Sequence, residues 1–111
     1  MKNFIAAGAA LTVAAPYDVL SGGGALVGTM FGVAASDALN GAEVVLNIEG
    51  IYEINKIGSQ AWTVGARIYW DDTNKRCTTV STSNTLIGVA TEAVGSGAGE
   101  TLGKVRLNGS F

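Results

Sequence analysis

Three observations predict an all-β fold, a small barrel or sandwich of roughly seven to nine short antiparallel strands built around an internal strand-pair repeat. The first is repetition. Leu46-Asn47-Ile48-Glu49-Gly50-Ile51-Tyr52 returns as Val105-Arg106-Leu107-Asn108-Gly109-Ser110-Phe111, with the same apolar, polar and glycine order. Phe31-Gly32-Val33-Ala34 precedes the first phrase and Ile87-Gly88-Val89-Ala90 the second. The openings are offset by 56 residues (88 − 32) and the endings by 59 (109 − 50), so the connection is three residues longer in the second copy. Loops absorb such insertions at little cost. The second observation is the period of two over Glu43–Glu49, with Val44, Leu46 and Ile48 on one face and Glu43, Asn47 and Glu49 on the other. The third is that no window holds a helical period over ten or more residues, while turn-forming clusters recur every eight to twelve or so.

Taken in order, the alternation of Ile5, Ala7 and Ala9 and then of Leu11, Val13 and Ala15 predicts a first strand, which Pro16-Tyr17-Asp18 ends. The same stretch, behind Lys2, imitates a short secretory signal with Val13-Ala14-Ala15 as its cleavage site; the alternation favours the strand. Ser21-Gly22-Gly23-Gly24 reads as a loop and Ala25–Ala34 as a buried strand pair broken at Gly28. Ala34–Asn40 has room for one helical turn stopped by Gly41. Beyond the Glu43–Glu49 strand, Gly50 allows a bulge, and Tyr52 and Ile54 resume the inward parity. Trp62–Gly65 leads into Ala66–Trp70, with Arg67 at the outward parity. Asp71–Asn74 turns the chain, Arg76–Val80 runs back, and Ser81–Asn84 turns it again. Leu86–Thr91 and Lys104–Phe111 are the last strands, separated by the glycine-rich Ala93–Gly103. One domain is expected over residues 1–111, with a short N-terminal arm at 1–5.

Composition narrows the partners. The chain is 48% hydrophobic and 14% charged, against about one quarter charged in ordinary soluble domains, so part of the surface is expected to meet protein and a homo-oligomer is favoured. Seven Lys and Arg are scattered, no longer a run than Lys75-Arg76, and net charge is −2. Nucleic acid is therefore not an expected partner, because phosphate binding needs clustered cations. No stretch approaches the ~20 apolar residues of a membrane-spanning helix.

Chemical equipment is sparse. Histidine is absent, which removes Ser-His and Cys-His nucleophile pairs and the usual zinc sets. Cys77, the single cysteine, reads as a small strand residue. Asp71, Asp72 and Asn74 could supply oxygen ligands for calcium, but read first as a turn. Gly22-Gly23-Gly24-Ala25 and Gly95-Ser96-Gly97-Ala98-Gly99 lack the Lys-Ser or Lys-Thr of a phosphate loop. Neither an enzyme nor a cofactor is expected. Trp70 shares parity with Ile68 and reads as core, whereas Trp62 reads as the cover of a barrel end or as an interface anchor.

The order of phrases across the whole chain carries a resemblance. Lys2-Asn3-Phe4, Thr12-Val13-Ala14-Ala15-Pro16-Tyr17, Phe31-Gly32-Val33-Ala34, Glu49-Gly50-Ile51-Tyr52, Ala61-Trp62-Thr63-Val64-Gly65, Ile68-Tyr69-Trp70-Asp71-Asp72 and the closing Val105–Phe111 phrase together resemble the phage capsid cement, or head decoration, family. The resemblance implies a small β-barrel from a phage or prophage, assembled in the bacterial cytoplasm and added to the virion surface. There it would bridge subunits of the major capsid protein, as a trimer, without catalysis. It also implies that the N-terminal segment is retained. Candidate protein-interface residues are Lys2, Asn3, Phe4, Ile5, Tyr17 and Trp62. The other reading is a β binding module for a glycan or host surface.

Overall fold

The computed structural model describes residues 10–108, and these contain nine strands and no helix. The strands are β1 (Ala10–Ala14), β2 (Gly24–Val27), β3 (Met30–Ala34), β4 (Glu43–Asn47), β5 (Glu49–Asn55), β6 (Arg67–Asp71), β7 (Arg76–Thr78), β8 (Thr85–Ala90) and β9 (Leu102–Asn108). They form two antiparallel sheets, ordered β1-β4-β3-β2 and β5-β9-β8-β6-β7. The architecture is sandwich-like, and the barrel alternative is corrected: among the described residues no ladder joins the edge strands of either sheet, β1 and β2 in the first and β5 and β7 in the second. The second sheet curls until one parallel bridge, Lys56 to Cys77, brings β7 against the end of β5, but no ladder closes it.

Strand positions follow the sequence patterns, with three adjustments. The helical turn over Ala34–Asn40 does not form, because Val19 and Ala38 exchange backbone hydrogen bonds of 2.9 Å that hold this segment extended. Gly50, at φ +108°, sits inside β5 rather than beside a strand end, and Ile48 alone separates β4 from β5. A run of chain that alternates continuously therefore serves both sheets. The bulge falls in the β6–β8 pairing between Ile68 and Tyr69. Residues 1–9 and 109–111 lie outside the described residues, so the predicted start of the first strand and the closing Gly109 and Phe111 do too.

The repeat extends well beyond the two phrases that betray it. Ala34 pairs with Leu46 and Val33 with Asn47; in the same relative register Ala90 pairs with Val105 and Val89 with Arg106. On the far side, Ala25 faces Gly32 as Ile68 faces Gly88. Val13 and Ile54 occupy matching places in β1 and β5, against β4 and β9. The hydrogen bonds outside the ladders match as well: Gly22 N–H to Ala34 O corresponds to Gly65 N–H to Ala90 O, Ala15 N–H to Ala42 O to Lys56 N–H to Thr101 O, and the Val19–Ala38 exchange to Trp62–Val94. Gly22 and Gly65 share a left-handed backbone, at φ +82° and +85°. β1 to β4 and β5, β6, β8 and β9 are two copies of one motif, with β7 added to the second.

Each copy has its own apolar core, and the two correspond position by position. Val13, Val19, Ala25, Ala34 and Leu46 line the first; Ile54, Trp62, Ile68, Ala90 and Val105 line the second. Volume is traded inside this scheme. Where the first copy has Val19 beside Val44, the second has Trp62 beside Gly103, and a Cβ at Gly103 would run into the Trp62 ring. Phe31 and Val33 leave the first sheet to join the second core, Phe31 tilting against Trp70 with ring centroids 4.9 Å apart. Gly24 leaves room for both rings, since a Cβ there would sit 2.7 Å from Phe31 and 2.8 Å from Trp70. This contact locks the two copies together.

Candidate functional site

Because the copies share a frame, functional residues stand out where they diverge. Two tetrapeptides in the first copy, Asp18-Val19-Leu20-Ser21 and Asp37-Ala38-Leu39-Asn40, have the same form and are joined by the Val19–Ala38 bridge. Each Asp braces the other segment: the Asp18 carboxylate accepts from Asn40 N–H at 2.8 Å, and Asp37 from Ser21 N–H at 2.7 Å. Charge-assisted bonds of this length fix a loop well. The result is a rigid platform from which Leu20 and Leu39 project, each 72% exposed. A shallow cavity of about 370 Å³ lies between these segments.

The second copy keeps the backbone of this platform and discards its chemistry. Asp18, Leu20, Asp37 and Leu39 correspond to Ala61, Thr63, Ala93 and Gly95. Charge is divided the same way. Residues 10–48 carry Asp18, Asp37 and Glu43 and no Lys or Arg, while residues 49–108 carry six acidic and six basic side chains. Lys75 is 3.0 Å from Asp72 and Lys104 2.8 Å from Glu92, whereas Arg67 and Arg106 are exposed and form no ion pair among the described residues. Val89 of β8 pairs with Arg67 on one side and Arg106 on the other, and Arg106 pairs in turn with Ile51 of β5. Residues opposite each other in a ladder share a face, so both guanidiniums stand on one surface with Val89 and Ile51.

The residues expected to form an interface are placed differently. Trp62 is 1% exposed, fills the second core and donates its indole N–H to Gln60 Oε1 at 2.9 Å, so its side chain lies inside the second copy. The exposed place one residue on, at Thr63, corresponds to Leu20 in the first copy. Tyr17 is half-buried at the seam between copies, where its hydroxyl donates to Gly24 O at 2.8 Å and Lys75 Nζ lies 4.1 Å from its ring centroid. Burial, and then the Asp72 carboxylate, push its hydroxyl up to about 12. Tyr17 and Lys75 border a groove of about 720 Å³ between the copies. Lys2, Asn3, Phe4 and Ile5 lie outside the described residues.

Several other polar groups are committed to the fold, whereas Arg76 Nε is buried without a hydrogen-bond partner among the described residues. Asp71 closes its turn by accepting from Thr73 N–H at 3.0 Å and Asn74 N–H at 3.2 Å, while Asp72 accepts from the Trp70 indole at 3.0 Å. The adjacent carboxylates thus face different partners. No group of three or more His, Cys, Asp or Glu converges among the described residues. Lys56, 2% exposed at the place of Ala15, donates to Ile57 O at 2.7 Å and Glu100 O at 3.2 Å, and burial lowers its pKa. Cys77 is fully buried, which pushes its thiol up to about 12 and keeps it protonated at neutral pH.

The sequence reading missed Leu20 and Leu39. Their signal was the repeated Asp-x-Leu-polar tetrapeptide, which the flexible look of Ser21–Gly24 obscured.

Comparison with known proteins supplies the context for these surfaces. The family model of the phage cement protein matches residues 5–107. Neither the curated proteins nor the solved structures provide a match. The chain belongs to the phage cement protein family and is a structural component of a phage capsid.

Proposed function

We propose that this protein binds the outer surface of the mature shell and bridges neighbouring subunits of the major capsid protein, as a trimer assembled in the bacterial cytoplasm. The family match over residues 5–107 carries this reading. One feature of the chain supports it, a surface short of charge that suits contact with other protein. Bridging works by mass action. A clip that binds only the mature lattice stabilises it by about 2.7 kcal/mol per site when its free concentration is 100 times Kd. Trp62 and Trp70 are both buried, so neither tryptophan supports the glycan-binding alternative. Shells purified without this protein provide the test. Added protein should co-sediment with mature shells and raise their disruption temperature; failure to bind at saturating concentration would overturn the reading.

A further inference from the structure

The two copies have diverged in opposite senses at their exposed positions. The first gained Asp18, Asp37, Leu20 and Leu39 where the second has Ala61, Ala93, Thr63 and Gly95. The second gained Arg67 and Arg106 where the first has Gly24 and Asn47. The platform is apolar with negative charge alone, whereas the second-sheet face carries Arg67, Arg106 and Lys104 with Glu49 and Glu53 along its β5 margin beside Ile51. On the platform two carboxylates flank exposed leucines. On the second sheet Arg67 and Arg106, whose backbone positions are about 10 Å apart across two strand spacings, flank Val89 with Ile51 beside them. Both surfaces are built on fixed backbone: reciprocal carboxylate braces hold the first, ladder pairing the second. Arginine in a desolvated apolar setting is the composition of interface anchors. The first copy holds no Lys or Arg among its described residues, and Arg67 and Arg106 form no ion pair among the described residues.

We propose that the Leu20–Leu39 platform of one chain docks on the Arg67–Arg106 face of a second copy, so that the protein self-associates head to tail. A contact between two different surfaces closes into a ring when its rotation allows and otherwise runs on as an open chain. This goes beyond attachment to the shell: it assigns the contact between decoration subunits, and holds in solution without capsid.

Sedimentation velocity across a concentration series tests it with substitutions at exposed side chains, which leave both cores and both Asp braces in place. Wild type should associate, more weakly as salt rises. Leu20→Lys with Leu39→Lys places cations against the arginine face, and Arg67→Glu with Arg106→Glu places acids against the platform. Each double variant should weaken association at least about tenfold. An equimolar mixture of the two should recover association, because the intact platform of one meets the intact arginine face of the other while lysine meets glutamate at the alternate contact, and the quadruple variant should recover it through lysine and glutamate alone. A monomeric wild type at several hundred micromolar or so would overturn the proposal, as would double variants that associate like wild type. So would loss in both variants without recovery in the mixture. Shell binding is read separately, so a monomeric variant that still decorates shells separates this contact from the attachment itself.

Discussion

The first copy of the repeat is small inside and bears two exposed leucines outside; the second is large inside and supplies every cation of the described residues. Ala15, Ala25 and Ala34 line the first core where Lys56, Ile68 and Ala90 stand in the second. The ladder places are the same, so backbone hydrogen bonding set the motif while side chains were free to specialise. Stability should therefore be concentrated in the second copy. Apolar burial scales with side-chain size, which makes the Trp62–Trp70–Ile68 core the larger contributor.

The shared frame breaks most readily at the repeated Gly-Val-Ala phrase. Gly88 lies so close to β9 that a Cβ would collide with Arg106 O, whereas at Gly32 it would come within 2.7 Å of Leu46 Cβ and 3.2 Å of Asn47 O. Gly88→Ala should cost more than about 4 kcal/mol and Gly32→Ala clearly less, by urea denaturation. Gly99→Ala, with nothing within 4 Å of its added Cβ, is the neutral control.

A sharper test exchanges core volume between the copies. Trp62→Val alone should cost about 3–4 kcal/mol, since it leaves a cavity. Adding Gly103→Val recreates the Val19–Val44 pair of the first copy and should recover part of that loss. Non-additivity in that direction would establish the two positions as one volume unit; simple addition of two losses would refute the trade.

Alkaline pH separates the copies next. The folded state raises Cys77 from 9.0 to about 12. A raised value means that the folded state holds the proton longer, so stability is complete below pH 9 and is lost as pH climbs toward 12. By pH 11 the loss should be about 2–3 kcal/mol, and Cys77→Ala should flatten this decline while costing about 1 kcal/mol at neutral pH. Equal slopes would show that Cys77 does not govern it.

The smallest effect belongs to the platform. Asp37→Ala removes the acceptor of Ser21 N–H and should lower global stability by about 1 kcal/mol or less. Faster amide exchange should be confined to the first copy, at Ser21 and its neighbours. If exchange also accelerated in the second core, the copies would not be separable units.

Legibility followed side-chain period and glycine. Glu43–Glu49 showed its two faces, and Gly32 and Gly88 recurred because no other residue allows that approach of β3 and β8 to their partners. The correspondence of Val19 with Trp62, or Ala15 with Lys56, could not be read: the matched groups are backbone donors and acceptors, which side chains do not encode. Barrel and sandwich have the same alternation, and only the unclosed edges separate them. The interface was half visible. A charge-poor surface pointed to protein contact, but Trp62 drew attention by its size while Gly103, distant in sequence, made the space that buries it.

The handover at Ile48 has a mechanical consequence. β4 lies inside the first sheet and continues after one residue into β5 of the second, so no slack linker joins the copies. Tension applied between them runs along the strand axis and loads the ladder bonds of β4 and β5 together. Parting the halves would demand simultaneous rupture along those rows instead of sequential unzipping, so the joint is stiffest along the strand direction.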